Sequence, residues 1–223
     1  MQTVMNNFYM AKAKLQAMPS EHKKIVEHRG LSEAIERAEK QVEYMSKIVF
    51  DLQSLSSSVK LELTVASVCA IVREALSTAS IPETITVSAA AEDPADLPRM
   101  TVDTAAMKRV FVNLTNNVAQ VMPEGGLLTV DVSRSAGSVL VKFTDMGVGI
   151  PEEDLGKVFQ PFFSTRSKGM GLGLSACKRI VEAHGGEIVV ESWVGEGTRV
   201  TVRIPLRQDT TQDAGDVSTS DVT

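Results

Sequence analysis

The chain has 223 residues, of which 43% are hydrophobic and 23% charged, and its formal net charge is -5 at pH 7. This length allows one domain with a sizeable core and a smaller element beside it. No basic stripe of the kind that neutralises nucleic-acid phosphates stands out, and with the acidic balance this argues against nucleic acid as a partner. No apolar run approaches the ~20 residues of a membrane-spanning helix, and no signal peptide opens the chain, so a cytoplasmic protein is predicted.

Residues 1–58 carry two heptad patterns and no strand pattern, with a break at Pro19-Ser20. The first apolar seam comprises Val4, Phe8, Ala11, Leu15 and Met18, and the second Ile35, Ala38, Val42, Met45, Val49 and Leu52. These spacings predict a helical hairpin, which cannot bury both seams alone. Pairing of two hairpins in a homodimer is therefore favoured, with packing onto the rest of the chain as the alternative.

Residues 60–206 alternate helical and strand patterns, which predicts a compact α/β domain. Helices are predicted over residues 65–76, 103–122 and 172–184, and glycines follow the last two. Strands are predicted over residues 84–89, 100–102, 127–133, 138–144, 187–193 and 198–206. Residues 207–223 contain almost no apolar side chains and are predicted to be a disordered tail.

Two asparagines on the helix predicted over residues 103–122 are candidate metal ligands. Asn113 and Asn117 lie one turn apart, so their amides share a face. Amide oxygens suit Mg²⁺, which keeps several waters and takes few protein ligands beside phosphates. Taken alone, two exposed asparagines on a solvated helix are the more common explanation.

The segment Asp145-Met-Gly-Val-Gly-Ile closes a predicted strand. Asp145 can accept a hydrogen bond from an exocyclic amine such as that of adenine. Gly147 and Gly149 remove side chains where a flat ring must approach the backbone. A glycine-rich turn with an aspartate favoured by turn chemistry is the alternative.

Two further candidate segments follow in the sequence: a loop that could act as a mobile flap, and the glycine-rich start of the next predicted helix. Residues 159–166 read Phe-Gln-Pro-Phe-Phe-Ser-Thr-Arg, and Arg166 and Lys168 are free to reach phosphates if this flap closes. Taken alone, the two residues are better explained as solvated cations of a surface loop. Glycines open the next helix and expose backbone N–H groups at its positive end, which suits phosphate; they are Gly169, Gly171 and Gly173. Their spacing is not the dinucleotide fingerprint, and no P-loop is present.

In this order, the four segments resemble the N, G1, F and G2 boxes of sensor histidine kinases, in the GHKL superfamily with gyrase B and MutL. Residues 119–126 are similar to the nitrogen-regulation type. The resemblance implies the Bergerat fold, a two-layer α/β sandwich with a mixed sheet covered by helices on one face, together with ATP and Mg²⁺. It implies that Asn117 ligates Mg²⁺, that Asn113 orients the γ-phosphate or its attacking group, and that Asp145 binds the adenine amine. Thr198 is implied as a helper on the closing strand, and Arg166 as the cation after the F box.

The family's hairpin carries a phosphorylated histidine, and here the sequence departs from the pattern. His22 and His28 are each followed by a basic residue and lack the proline expected five positions later. The H box is therefore expected upstream of Met1, with His28 as a minor candidate, and His184 is expected to be structural. A kinase catalytic unit that acts on a histidine supplied elsewhere and serves a response-regulator receiver is predicted. The alternative is an ATP-binding dimeric regulatory module without phosphotransfer; a gyrase-type ATPase is disfavoured, because Asn113 occupies the place of its general-base glutamate.

Overall fold

The computed structural model describes residues 60–89, 97–165 and 170–206, and scattered positions between residues 10 and 45. Those positions are 10, 11, 13, 17, 33–35, 37, 38, 41, 42 and 45, and they are helical except for Ala17, which is in a turn. The predicted hairpin as a whole, with His28, lies outside the described residues, as does the predicted tail. Both stay predictions.

Seven strands and four helices alternate through the described part of residues 60–206. In chain order they are β1 (Thr64–Ala66), α1 (Val68–Thr78), β2 (Ile85–Ala89), β3 (Met100–Val102), α2 (Thr104–Val121), β4 (Gly126–Ser135), β5 (Ser138–Asp145), α3 (Glu152–Leu155), α4 (Gly173–Ala183), β6 (Glu187–Trp193) and β7 (Gly197–Pro205). None of the helices in these described ranges is long and apolar enough to cross a membrane.

The main sheet has five strands in the order β2-β4-β5-β7-β6, and a two-stranded sheet joins β1 to β3. Strands β2 and β4 are parallel, and the other neighbours are antiparallel. Every second residue of β5 is buried, so one face of the sheet meets the core and the other is more open. The buried residues of α1, α2 and α4 join the same core. The expected two-layer α/β fold with a mixed sheet is therefore confirmed.

Local chemistry sets the helix boundaries. The helix predicted over residues 65–76 was wrong at its start, because residues 64–66 pair with β3 as a strand. Helix α1 begins only after Ser67, whose hydroxyl accepts a hydrogen bond from the Ala70 amide at 3.2 Å. Asp103 caps α2 in the same way, through the Ala106 amide at 2.9 Å, as its position in the sequence predicted.

The buried His184 connects two helices of the helical layer, α2 and α4. It is 2% exposed, and its Nε2 accepts a hydrogen bond from the Asp103 amide at 3.0 Å. Its Nδ1 lies 2.8 Å from the Ile180 carbonyl, so Nδ1 carries the proton of the neutral ring. The end of α4 is thereby tied to the start of α2, and the structural role expected for His184 is confirmed.

Candidate functional site

The core-facing side of the main sheet is apolar except at one end, where three of the four side chains in one cross-strand row are polar. Val130, Phe143, Val200 and Val190 form one row across β4, β5, β7 and β6. Two residues further along these strands, the row contains Leu128, Asp145, Thr198 and Ser192. Asp145 is only 7% exposed and Thr198 8%. Burying a carboxylate beside an apolar core is costly unless it is hydrogen-bonded, so Asp145 requires hydrogen-bond donors at this end of the sheet.

Two backbone amides hold the Asp145 carboxylate. Its Oδ1 accepts from the Gly147 amide at 2.9 Å and from the Thr198 amide at 3.2 Å. The first contact shapes the loop after β5, and the second joins β5 to β7. Hydrogen bonds from two amides fix the orientation of the carboxylate and favour its ionised form, in which it can only accept hydrogen bonds.

Ser192, which the sequence interpretation missed, supports the same loop from β6. Its hydroxyl accepts from the Ile150 amide at 2.8 Å and lies 2.8 Å from the Thr198 hydroxyl. A signal was present in the sequence, since Ser192 continues the inward phase of Ile188 and Val190 along the predicted strand. A small polar residue in that phase marks the point where the apolar face ends.

The glycines of the loop are required by packing within the protein. A Cβ on Gly149 would lie 2.7 Å from the Trp193 carbonyl carbon, and the φ of Gly149 is 73°. A Cβ on Gly147 would lie 2.8 Å from Val121 Cγ2. The loop thus sits against the β6–β7 turn and the end of α2. This reason for both glycines is independent of the room for a flat ring that the sequence suggested.

One face of α2 spans the site from end to end. Asn113, Asn117 and Val121 follow at intervals of one turn, which covers about 12 Å at 1.5 Å per residue. Val121 packs near Gly147 at one end, and the Asn113 amide donates to the Gly173 carbonyl at 3.0 Å at the other. Asn117 lies between them and is partly buried, and its side chain has no hydrogen bond to a described residue.

Helix α4 begins at the far end of this face. No described side chain caps its first turn, and the Ser175 hydroxyl donates to the Leu172 carbonyl at 2.8 Å. Its first backbone N–H groups are therefore available to an anion. Gly171 precedes the helix with a φ of 67°, and its carbonyl accepts from the Phe162 amide at 3.0 Å.

This Phe162–Gly171 hydrogen bond closes the base of the flap predicted from the sequence. Phe159, at the start of the flap, packs against the core, and the Lys178 ammonium lies 5.4 Å from its ring centroid. The predicted phosphate-binding residues Arg166, Lys168 and Gly169 lie outside the described residues.

The position of Asn117 fits Mg²⁺. Its amide oxygen is a neutral donor beside a helix start suited to phosphate, and Mg²⁺ usually takes one or two protein ligands with the remainder from water and phosphate oxygens. Asn113 is less suited to direct contact, because it is 7% exposed and its amide is bonded to Gly173.

Comparison with known proteins identifies this arrangement. Residues 102–208 match the family described as Histidine kinase-, DNA gyrase B-, and HSP90-like ATPase. The chain is also 31% identical to the catalytic domain of histidine kinase ThkA, covering 66% of this chain and 97% of that domain with a TM-score of 0.57. The chain belongs to this ATPase family. Its matched region is an ATP-binding domain of the histidine kinase type, as the four motifs indicated.

Longer relatives are named as kinases. Sporulation kinase C of Bacillus subtilis (strain 168) is 39% identical over 107 residues, which are 48% of this chain and 25% of that protein. Sensor histidine kinase ZraS of Escherichia coli O157:H7 is 38% identical over 110 residues, 49% of this chain and 24% of ZraS. The chain thus spans about a quarter of the length of these two relatives. Full-length ShkA, solved in complex with AMPPNP, shares the fold with a TM-score of 0.67 at 21% identity, over 78% of this chain and 38% of ShkA.

Proposed function

We propose that this histidine kinase-type domain binds Mg²⁺-ATP and transfers the γ-phosphoryl group to a histidine. The observation that carries this function is the face of α2, which connects an acceptor site at Asp145 to the open start of α4 and presents Asn117 between them. The span of about 12 Å suits a nucleotide held by its base at one end and its phosphates at the other.

At the base end, Asp145 accepts a hydrogen bond from the adenine amine, with Thr198 beside it. At the phosphate end, the backbone amides at the start of α4 and the cations Arg166 and Lys168 bind the phosphates. The glycines Gly147, Gly149, Gly169, Gly171 and Gly173 shape the loops on either side. The protein contributes position and electrostatic stabilisation, which are the main requirements of phosphoryl transfer.

Asn117 holds the Mg²⁺ through its amide oxygen, and the metal, when bound, neutralises charge on the phosphate oxygens. Asn113 acts one turn away as a positioning residue. Its hydrogen bond to Gly173 sets the position of the start of α4 relative to Asn117. Asn113 therefore orients the γ-phosphate indirectly, by positioning the α4 amides that bind it.

The remaining predictions concern the rest of the chain. Residues 1–58 form a dimerising helical hairpin, residues 60–206 the catalytic domain and residues 207–223 a disordered tail. The sensor-kinase relatives support a receiver domain of a response regulator as the partner of the phosphorylated histidine. Sedimentation of the whole chain at micromolar concentration should give a dimer, and a monomer would exclude the hairpin pairing.

Phosphotransfer is tested by supplying the acceptor in trans. The whole chain is mixed with [γ-³²P]ATP, Mg²⁺ and a helical hairpin that carries an intact H box, and the label should enter that hairpin as an acid-labile, alkali-stable phosphohistidine. Asn117→Ala serves as the inactive control. If the chain binds ATP but labels neither the hairpin nor itself, it is an ATP-binding regulatory module without phosphotransfer.

A further inference from the structure

The hydroxyl group of Ser192 lies among three polar groups, and their chemistry fixes how its proton is used. The Ile150 amide lies at 2.8 Å, the Gly197 carbonyl at 2.9 Å and the Thr198 hydroxyl at 2.8 Å. A serine hydroxyl has one proton and two lone pairs. The amide can only donate and the carbonyl can only accept. Ser192 therefore donates to Gly197 and uses one lone pair for Ile150.

The remaining lone pair of Ser192 faces Thr198, so the Thr198 hydroxyl must donate its proton to Ser192. For any further partner, the Thr198 oxygen offers only lone pairs. The neighbouring Asp145 carboxylate also only accepts, and its Oδ1 is fixed by the Thr198 amide at 3.2 Å. Together, Asp145 and Thr198 form an edge that accepts hydrogen bonds and donates none from its side chains.

We propose that Ser192 is a positioning residue for base selection. By holding the Thr198 proton away from the ligand, it makes the base end of the site accept an exocyclic amine and reject a carbonyl oxygen. This role rests on the proposed function, since it concerns the base of the same nucleotide. At position 6, an amino purine offers N–H donors to the edge, whereas an oxo purine, whose added donor lies at N1, places an acceptor against acceptors. A buried polar mismatch of this kind discriminates strongly between ligands.

The experiment compares ATP with inosine triphosphate, which carries a carbonyl oxygen in place of the amine. The dissociation constants of both are measured by calorimetry with the full chain and Mg²⁺, and their ratio is the readout. In Ser192→Ala, the Thr198 hydroxyl can turn and donate to the carbonyl oxygen, so the preference for ATP should fall about tenfold, as for one hydrogen bond. Thr198→Val should lower the preference by a similar factor.

The double variant tests whether the two residues act through one proton. If they do, adding Ser192→Ala to Thr198→Val should change the ratio no further, whereas independent effects would multiply. Ser192→Thr keeps a hydroxyl and should retain the preference. Ser133→Ala, an exposed serine of β4, is the matched control and should leave both constants unchanged. Ser192→Cys keeps the approximate size of the side chain, but its thiol forms only weak hydrogen bonds. If Ser192→Ala does not fold, Ser192→Cys takes its place, and the same fall in the preference for ATP is expected.

The outcomes separate this role from simple support of the loop. Equal weakening of both nucleotides in Ser192→Ala, with the ratio preserved, would overturn the base-selection role and leave the proposed function standing. A wild-type chain that binds neither nucleotide would overturn both. A smaller ratio in each single variant, with no further change in the double variant, is the expected result.

Discussion

Replacing Gly149 by alanine should destabilise the fold rather than act on the nucleotide alone. The new Cβ would lie 2.7 Å from the Trp193 carbonyl carbon and 2.9 Å from Val194 Cα. Ordinary carbon–carbon contacts are about 3.5–4.0 Å, so the β6–β7 turn must move by roughly 1 Å. Overpacking costs about 1–3 kcal/mol, and a positive φ costs a non-glycine residue about 1–2 kcal/mol. The unfolding free energy should therefore fall by about 2–5 kcal/mol.

Gly195 provides a matched control for Gly149. Its φ is 82°, close to the 73° of Gly149, but a Cβ there would meet nothing within 4 Å. Gly195→Ala should therefore cost only the backbone term, about 1–2 kcal/mol. Urea denaturation of the full chain, with and without ATP, measures both variants. Equal destabilisation by the two substitutions would refute the packing argument, as would a stable Gly149→Ala chain that has lost only ATP binding.

Four further substitutions test the site and the helices that support it. Asn117→Ala should abolish the Mg²⁺-dependent part of ATP affinity, because a metal ligand is lost. Calorimetry with and without Mg²⁺ measures this, and an ATP affinity equal to that of the wild-type chain would contradict the assignment. Asp145→Asn keeps one oxygen for the two backbone donors but replaces the other carboxylate oxygen by an NH₂ group, which donates. ATP affinity should therefore fall about 10- to 150-fold, the cost of one charged hydrogen bond, with little loss of stability. Asp145→Ala should lower both quantities. His184→Ala removes the side-chain partner of the Asp103 amide, whereas the Ile180 carbonyl keeps the His184 backbone amide as a donor. The unfolding free energy should therefore fall by about 1–3 kcal/mol without a change in ATP affinity, and a thermally stable variant would exclude the tie between α2 and α4.

The elements that could be predicted from the sequence are those whose signals are local. Asp103 caps α2, and an apolar periodicity follows it, so the helix was expected within two residues of its bounds. Ala136-Gly137 marks the turn between β4 and β5. Strand β1 has no comparable signal, because its three residues become a strand only by pairing with β3, almost forty residues further along the chain.

The same distinction applies to the site. Asp145 and Asn117 could be proposed from side-chain chemistry and from their neighbours in the sequence. The bonds that position them could not, because their partners are distant in the chain. Ser192 meets Ile150 across 42 residues, and Asn113 meets Gly173 across 60. Only the register of β5, β7 and β6 brings the first pair together, and only the packing of α2 on α4 brings the second.

The packing of α2 against α4 explains where Asn117 lies. The helices are antiparallel, and the outermost hydrogen bonds between them join Asp103 to His184 and Asn113 to Gly173. Ten residues separate the contacts on α2 and eleven on α4, which gives matching lengths of about 15 Å. The contact between the two helices therefore stops at Asn113, where α4 begins. The last two turns of α2 extend beyond this point, over the loop at Gly147. Asn117 is the first residue of the Asn113 face past this junction, beside the amides that α4 leaves open. Under the proposed function, the length of this antiparallel contact sets the place at which metal and phosphate would meet.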